Sequence, residues 1–502
     1  MTRRHLLISI VIALVALLLV ALLHVPLSSV EDQITALKYR VRGARQADTN
    51  IVIVYIDNDA ITDLGRPVRR NFYALMVKAL TELHVKAIGI EPVFEQPVKE
   101  HPEYDDLFAA VLGSSNNVVL SSYFNAIHSV DGEPARSQSA PQHLLFPSVT
   151  NVSKRGLELH LPLPALLANT AGVGHLNLDG DVDIPMFVRS EGGVAPSFGM
   201  EVLRIFNGVQ RSGVGFDGAT ISVGPQTRFE SFEGGMAALD FPGPISSFRV
   251  YPFVEVLKSY DAVRLDRTPS LPVRSFKDKI VLISVVAEER SVYVNTPVAA
   301  RYPSVGLHAT FLDNALRSRF LSHAEKVPVY LLTFLLGCCC AVAILFLKSP
   351  LDKILAFGLP VVVVVMSFFL FASSAYLLPV LPLFVVGSVS AVSALFYKQR
   401  LVGAEVGKLV AEKDVIISQL KEKEAKVLQL ENELLQLEAS KSADRTSELL
   451  EEIRKYKVEI HALASKADDM EEFKVDQMEV QSSVGEFEGI VYDRSGKMKP
   501  VI

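Results

Sequence analysis

Ile51-Val52-Ile53-Val54-Tyr55-Ile56-Asp57 is an uninterrupted β-branched and aromatic run that stops at a carboxylate. A run apolar at every position reads as a strand covered on both faces, the habit of parallel sheets. Asn71 to Leu83 then shows helical spacing, and Lys86-Ala87-Ile88-Gly89-Ile90 is a second buried strand, ending at Glu91. Strand, helix and strand of these lengths make a βαβ unit, implying a right-handed crossover and a parallel pair. Working outward, Asp105 to Leu112 reads as a helix, Asn117 to Ser121 and Lys279 to Ser284 as strands, and Gly306 to Arg319 as a helix. Between about Val173 and Tyr251 shorter strands alternate with Gly and Pro turns. The pattern predicts an α/β sandwich with a mixed sheet over residues 25–325.

Apolar stretches flank that region. Leu6 to Leu23 precedes it; Val327 to Leu347, Ile354 to Ala372 and Tyr376 to Tyr397 follow, and none contains Asp, Glu, Lys or Arg. Each is about twenty residues, enough to cross a bilayer core as a helix. Arg3 and Arg4 could begin a cleaved signal peptide, but the apolar run is longer than such segments, and His24-Val25-Pro26-Leu27 offers no small-residue cleavage site. A retained anchor is expected, with residues 1–5 cytoplasmic. Arg3, Arg4, Lys348, Lys353, Lys398 and Arg400 fall on one side of four spans, which puts both termini inside and the large domain outside. Lys38, Arg40, Arg42 and Arg45 sit on the other side; long translocated domains escape the charge rule. The net charge of −6 and the lack of a dense basic patch exclude nucleic acid as the large domain's partner. Cys338, Cys339 and Cys340 are consecutive in the second span, so they cannot form a metal cluster, and the large domain folds without disulfides.

From Leu401 to about Met470 the chain is charged, Leu-rich and free of Pro. Leu409, Ile416, Leu420, Val427, Leu430, Leu434 and Leu437 fall on an a/d seam, with Lys413 and Lys423 in two seam positions. Leu449, Ile453, Tyr456, Ile460 and Leu463 form a second seam, displaced in phase across the polar stretch Ala439 to Thr446. A cytoplasmic coiled coil over 401–470, paired as a parallel homodimer, is expected. Residues 471–502 are a tail or the start of a further domain.

In open α/β sheets ligands collect at the carboxyl ends of strands. Those ends carry Asp57, Asp59 and Glu91. Asp57 and Glu91 are expected on adjacent parallel strands, so both carboxylates face one cleft, where they hold a cation or accept hydrogen bonds from a ligand. The alternative is that they cap the turns and helices that follow.

These residues also carry a resemblance. Ile53-Val54-Tyr55-Ile56-Asp57-Asn58 with Leu64-Gly65-Arg66, then Ala87-Ile88-Gly89-Ile90-Glu91-Pro92-Val93-Phe94, resembles the extracytoplasmic CHASE sensor domain of the second type. Leu161-Pro162-Leu163-Pro164, Gly174-His175-Leu176-Asn177, Phe276 to Ile283, Thr296-Pro297 and Gly306-Leu307-His308-Ala309 agree in order, so the similarity spans about residues 30–325, with the usual three spans behind it. The resemblance implies a bacterial sensor of outside signals that feeds a cytoplasmic output, and it adds Arg66 to Asp57, Asp59 and Glu91 as a candidate ligand-binding residue. Three departures point to a different ligand. Pro67-Val68-Arg69-Arg70 replaces a Trp-containing stretch, Glu91 stands for the usual Asp, and Ser284-Val285-Val286-Ala287 replaces a Gly-rich strand end.

Gly213-Val214-Gly215-Phe216-Asp217-Gly218 matches a dinucleotide string but precedes a strand-like stretch rather than a helix, so it reads as a turn. His175 and His308 lack further ligands at metal spacing and read as structural. His461 lacks a kinase phosphoacceptor's surroundings. Phe487 to Ile502 resembles the edge that precedes the phosphate-binding loop of sigma-54-type AAA+ activators; the resemblance implies a fragment or truncated product whose effector lies beyond Ile502, and the alternative is an ordinary strand-turn tail. No catalytic motif, metal or cofactor is read in the chain. The expected function is a bacterial inner-membrane sensor, dimeric through its rod, that binds a small-molecule or envelope ligand and signals to a cytoplasmic effector. A membrane scaffolding protein is the alternative, and an enzyme around Asp57 and Glu91 the third reading.

Overall fold

The computed structural model describes residues 2–22, 24–65, 67–129, 145–147, 149, 152–180, 182–190, 193–232, 234–286, 292–438, 443–485, 491–492 and 498–499. The chain divides into a helical unit, Met1–Leu27, Glu325–Met366 and Pro379–Ile502, and an α/β unit, Ser28–Ala324 and Ser367–Leu378.

Helices α1 (Thr2–Leu22) and α2 (His24–Arg42) open the chain. The α/β unit continues with β1 (Ile51–Ile56), α3 (Asn58–Leu64), α4 (Arg70–Glu82), β2 (Ala87–Ile90), α5 (Glu103–Ser115), β3 (Val118–Ser129), β4 (Lys154–His160), α6 (Pro164–Asn169) and β5 (Gly172–His175). Then come β6 (Phe187–Ser190), β7 (Gly193–Pro196), α7 (Phe198–Phe206), β8 (Arg249–Pro252), α8 (Phe253–Arg264), β9 (Ile280–Val285) and α9 (Ser304–Arg317). The sheet order is β8-β1-β9-β2-β3-β4-β6-β7, with β5 also on β3. Strands β8, β1, β9, β2 and the start of β3 are parallel, while the rest of β3 pairs antiparallel with β4, so the sheet is mixed as the sequence predicts.

One expectation is corrected. β1 and β2 are parallel but not neighbours, because β9 lies between them, with Leu282 opposite Ile53 on one side and Gly89 on the other. The crossover through α3 and α4 skips one position, and a strand distant in sequence fills it.

Alternation along these strands builds two cores. Ile51, Ile53, Val119, Ile280 and Leu282 join α7 and α9 on one face. Val52, Val54, Ile88, Ile90, Val281 and Ile283 join α4, α5 and α8 on the other. Covering both faces explains why the strands are apolar at every position, and each such side chain contributes about 1.5–3 kcal/mol. Gly89 and Gly174 let α7 lie close against the sheet. A Cβ on Gly89 meets Phe198 Cζ at 2.8 Å, and one on Gly174 meets the Phe198 backbone at 2.5 Å. The Gly213–Gly218 string spans the end of a 3-10 turn, a strand and the loop of a hairpin, with no helix behind it.

The helical unit contains α1, α10 (Lys326–Phe346), most of α11 (Leu351–Ser374), α12 (Leu381–Glu438) and α13 (Ala443–Gly485). Among the described residues four helices are long and apolar enough to cross a membrane: Arg3–Leu22, Lys326–Phe346, Leu351–Ser374 and the start of Leu381–Leu435. Gly337 allows close packing of α10, since a Cβ there meets Val386 at 2.9 Å and Ala13 at 3.3 Å. The last span begins at Leu381, not at Tyr376. Tyr376–Leu377 pairs instead as a short strand with Ser322–His323. Pro379 and Pro382 explain the shift, since proline is accommodated before and within a helix's first turn but not inside it.

α12 runs unbroken from the apolar segment into the rod, and α13 folds back along it. Val427 and Leu430 pack against Leu449 and Ile453, with Leu434, Tyr456 and Ile460 at the margin. Lys423 pairs with Glu459, Lys457 with Glu431 at 2.7 Å, and Lys466 with Glu412 at 3.4 Å, an antiparallel register. Of the seam positions, Ile416, Val427 and Leu430 are buried and Leu409, Leu420 and Leu434 half-buried, while the side chain of Leu437 falls outside the described residues. The seam thus has a partner within its own chain, where a second copy was expected. Of the tail that resembles an activator edge, Val491–Tyr492 and Met498–Lys499 are described, as an antiparallel pair.

Candidate functional site

The sequence-predicted residues do not converge. Asp57 is the N-cap of α3, its Oδ1 accepting from the Ala60 backbone N–H at 2.8 Å. Its role is the capping alternative, which satisfies a helix-end donor. Asp59 is exposed in the first turn of the same helix. Arg66 lies outside the described residues. Glu91 is buried one strand further away, across β9, and the shared cleft with Asp57 does not form. Ser304, opening α9, donates to its Oε1 at 2.5 Å, and Ser284 of β9 donates to its Oε2. Burial raises the Glu91 pKa and the two hydroxyls oppose that shift. Both oxygens are occupied in tying β2, β9 and α9 together.

His175 and His308 lie in the core. Both are buried, against Phe124 and Phe198 respectively. Desolvation lowers their pKa values to about 3 and about 4, so both are neutral near pH 7.

A different constellation unites the segments next to every apolar helix. Asp240 has a fully buried carboxylate. Arg42, at the end of α2, donates to its Oδ1 at 2.5 Å, and Arg319, just after α9, donates to its Oδ2 at 2.8 Å. Arg45 bridges it at 3.3 Å to Asp313 of α9, where its Nη1 lies 3.0 Å from Oδ2. Asp313, also buried, accepts from Arg317 at 3.0 Å and from the Asp48 backbone N–H at 2.7 Å. Asn314 completes the frame, donating to the Asp240 carbonyl and accepting from its N–H.

The last turns of α11 and the connection after it reach the same place. Arg42 lies 5.3 Å from the Phe371 ring centre, Tyr39 packs edge-on against that ring, and Arg319 donates to Ala372 O at 3.3 Å. Buried Lys38 donates to Leu378 O at 2.8 Å. Burial lowers the Lys38 pKa and Glu31, 3.9 Å away, partly offsets this. Segments following the first span, preceding the second and joining the third to the fourth are therefore held in one buried ion cluster. Breaking such a cluster by removing one partner costs about 3–5 kcal/mol, because the remaining charges stay buried.

Sequence reasoning missed this cluster, although a signal existed. Lys38, Arg42 and Arg45 were the charges that opposed the orientation rule, and Asp240 is a lone acid between Leu239 and Phe241.

The chain thus combines a mixed-sheet α/β unit with helices long and apolar enough to cross a membrane. The family model of the CHASE2 domain matches residues 11–346, more than half of the chain, and the chain belongs to that family. CHASE2 domains are extracellular sensor domains, and the resemblance of the blocks from Ile53 to Ala309 is thereby explained. No curated protein and no solved structure matches the chain.

Proposed function

We propose that this chain is a multi-pass bacterial inner-membrane sensor. Its α/β domain binds an extracytoplasmic ligand, both termini are cytoplasmic, and α12 carries the change inward as one continuous helix. The observation that supports this reading best is the Asp240–Asp313 cluster, which gathers the segments flanking all four apolar helices. A ligand that alters the cluster has a direct route to those helices, provided that it binds the two states with different affinity.

The rod is proposed to meet a second copy and a cytoplasmic effector. Val415, Leu428 and Leu435 on α12 and Leu450 and Val458 on α13 stay exposed outside the hairpin seam, and a dimer contact would cover them.

The test is cysteine crosslinking in membranes. Cys338, Cys339 and Cys340 are changed to Ala, and single cysteines are placed at Val415 and Leu428. Loosening the cluster with Arg319→Gln is expected to change the yield of crosslinked dimer. Identical yields in a stably folded Arg319→Gln protein would favour a scaffold that does not switch.

A further inference from the structure

The α/β unit contains a cleft of about 370 Å³ between the α2–β1 connection, Ala44 to Thr49, and the segment from Pro244 to Arg249 that enters β8. Small-molecule sites begin at about this size. Its lining is polar: Gln46, Thr49 and Ser246 are exposed hydrogen-bonding side chains, and Arg45, Asp48 and Arg249 supply charge. Among the described residues Arg249 has no ion-pair partner, and Arg45 Nε is buried without an acceptor.

The charge around the cleft is unbalanced. Five guanidiniums (Arg42, Arg45, Arg249, Arg317 and Arg319) face three carboxylates (Asp48, Asp240 and Asp313) across the cleft and the cluster behind it. A guanidinium fork is well suited to carboxylate and phosphate oxygens. Arg45 belongs both to the cleft and to the cluster.

We propose that this cleft is the sensor's ligand site and that it takes a small oxyanion, a carboxylate or phosphate, held by Arg249 and Arg45. The assignment rests on the sensor reading above. An anion drawn to Arg45 competes with Asp240 and Asp313 for its donors, so occupancy is felt where the helix-flanking segments meet.

Binding is measured by calorimetry on the full chain in lipid nanodiscs, with inorganic phosphate and succinate as probes and glucose as the uncharged control. One of the two anions is expected to bind saturably below about 10 mM, and glucose is not. Arg249→Gln should weaken that binding by about tenfold or more, the scale of a lost charge-assisted contact. If Arg249→Gln lowers the unliganded melting temperature, Arg249→Lys replaces it and should bind with intermediate affinity, since it keeps the charge and gives up the fork. Saturation by neither anion, or unchanged affinity in a folded Arg249 variant, overturns the site. Binding that leaves the crosslinking yield at Val415 and Leu428 unchanged keeps the anion site and overturns the sensing role instead.

Discussion

Asp240 accepts the Nε–H of Arg319 at 2.8 Å, joining a buried acid in the middle of the α/β domain to the segment that leads into its second apolar helix. The same carboxylate takes Arg42 from the end of α2, which follows the first apolar helix in the chain, so one side chain serves two exits from the domain. Asp240→Asn keeps the shape and removes the charge. It should lower stability by about 3–5 kcal/mol, as when one partner of a buried ion pair is lost. Chemical denaturation of the full chain in detergent measures it. A loss below about 1 kcal/mol would mean that the arginines find solvent or other acceptors, as exposed pairs do.

Glu91 separates charge from hydrogen bonding. Ser284 and Ser304 both donate to it, so both of its oxygens are used as hydrogen-bond acceptors. Glu91→Gln preserves an acceptor oxygen and should change stability by less than about 1 kcal/mol. Glu91→Ala leaves hydroxyls without an acceptor and opens a void, costing about 1–3 kcal/mol or more. Thermal melts of the two variants check the order. Equal losses would show that the carboxylate's charge is needed.

The buried histidines make the domain acid-sensitive. Their folded pKa values, about 3 for His175 and about 4 for His308, lie below the ordinary imidazole value of about 6.5. The unfolded chain therefore takes up protons first as pH falls below about 6.5. Their contribution is complete above that pH and is lost progressively towards pH 4, at up to about 1.4 kcal/mol per pH unit for each histidine. Glu91 and Asp313, whose pKa values are raised, act in the opposite direction. The quantity to measure is thus the difference between wild type and a His175→Leu/His308→Leu variant, by urea denaturation from pH 7 to 4.5. That difference should shrink with acid, and a flat difference would show that neither imidazole is buried as described.

Local chemistry was legible in the sequence and long-range pairing was not. The continuous run from Ile51 to Ile56 announced a strand covered on both faces, because that property belongs to each residue in turn. Nothing in the same run says that Leu282 lies beside Ile53, and this single insertion of β9 is what separates Asp57 from Glu91. Asp57 three residues before Ala60 was readable as a cap; the serines that hold Glu91 come from distant segments. Lys38, Arg42 and Arg45 looked like an orientation anomaly because their buried acceptors, Leu378 O, Asp240 and Asp313, lie 340, 198 and 268 residues downstream. The heptad seam was visible as a shielded stripe. Whether a stripe meets its own chain or a second copy depends on the connection after Glu438, on which periodicity is silent.

That last question has a direct answer in Lys423 and Glu459, which pair across the α12–α13 hairpin. In a background with Cys338, Cys339 and Cys340 changed to Ala, Lys423→Cys/Glu459→Cys should oxidise within one chain and migrate as a monomer on non-reducing gels. A parallel two-stranded rod instead sets each seam residue beside its own copy, so Val427→Cys alone would give a covalent dimer in high yield. In the hairpin Val427 is covered by Leu449 and Ile453, which predicts little dimer from that position. The outward residues Val415 and Leu428 should crosslink more readily between chains, because they remain exposed after the hairpin closes. Predominant dimer through Val427, with no intrachain bridge in the double variant, would overturn the hairpin and restore the parallel seam read from the heptads.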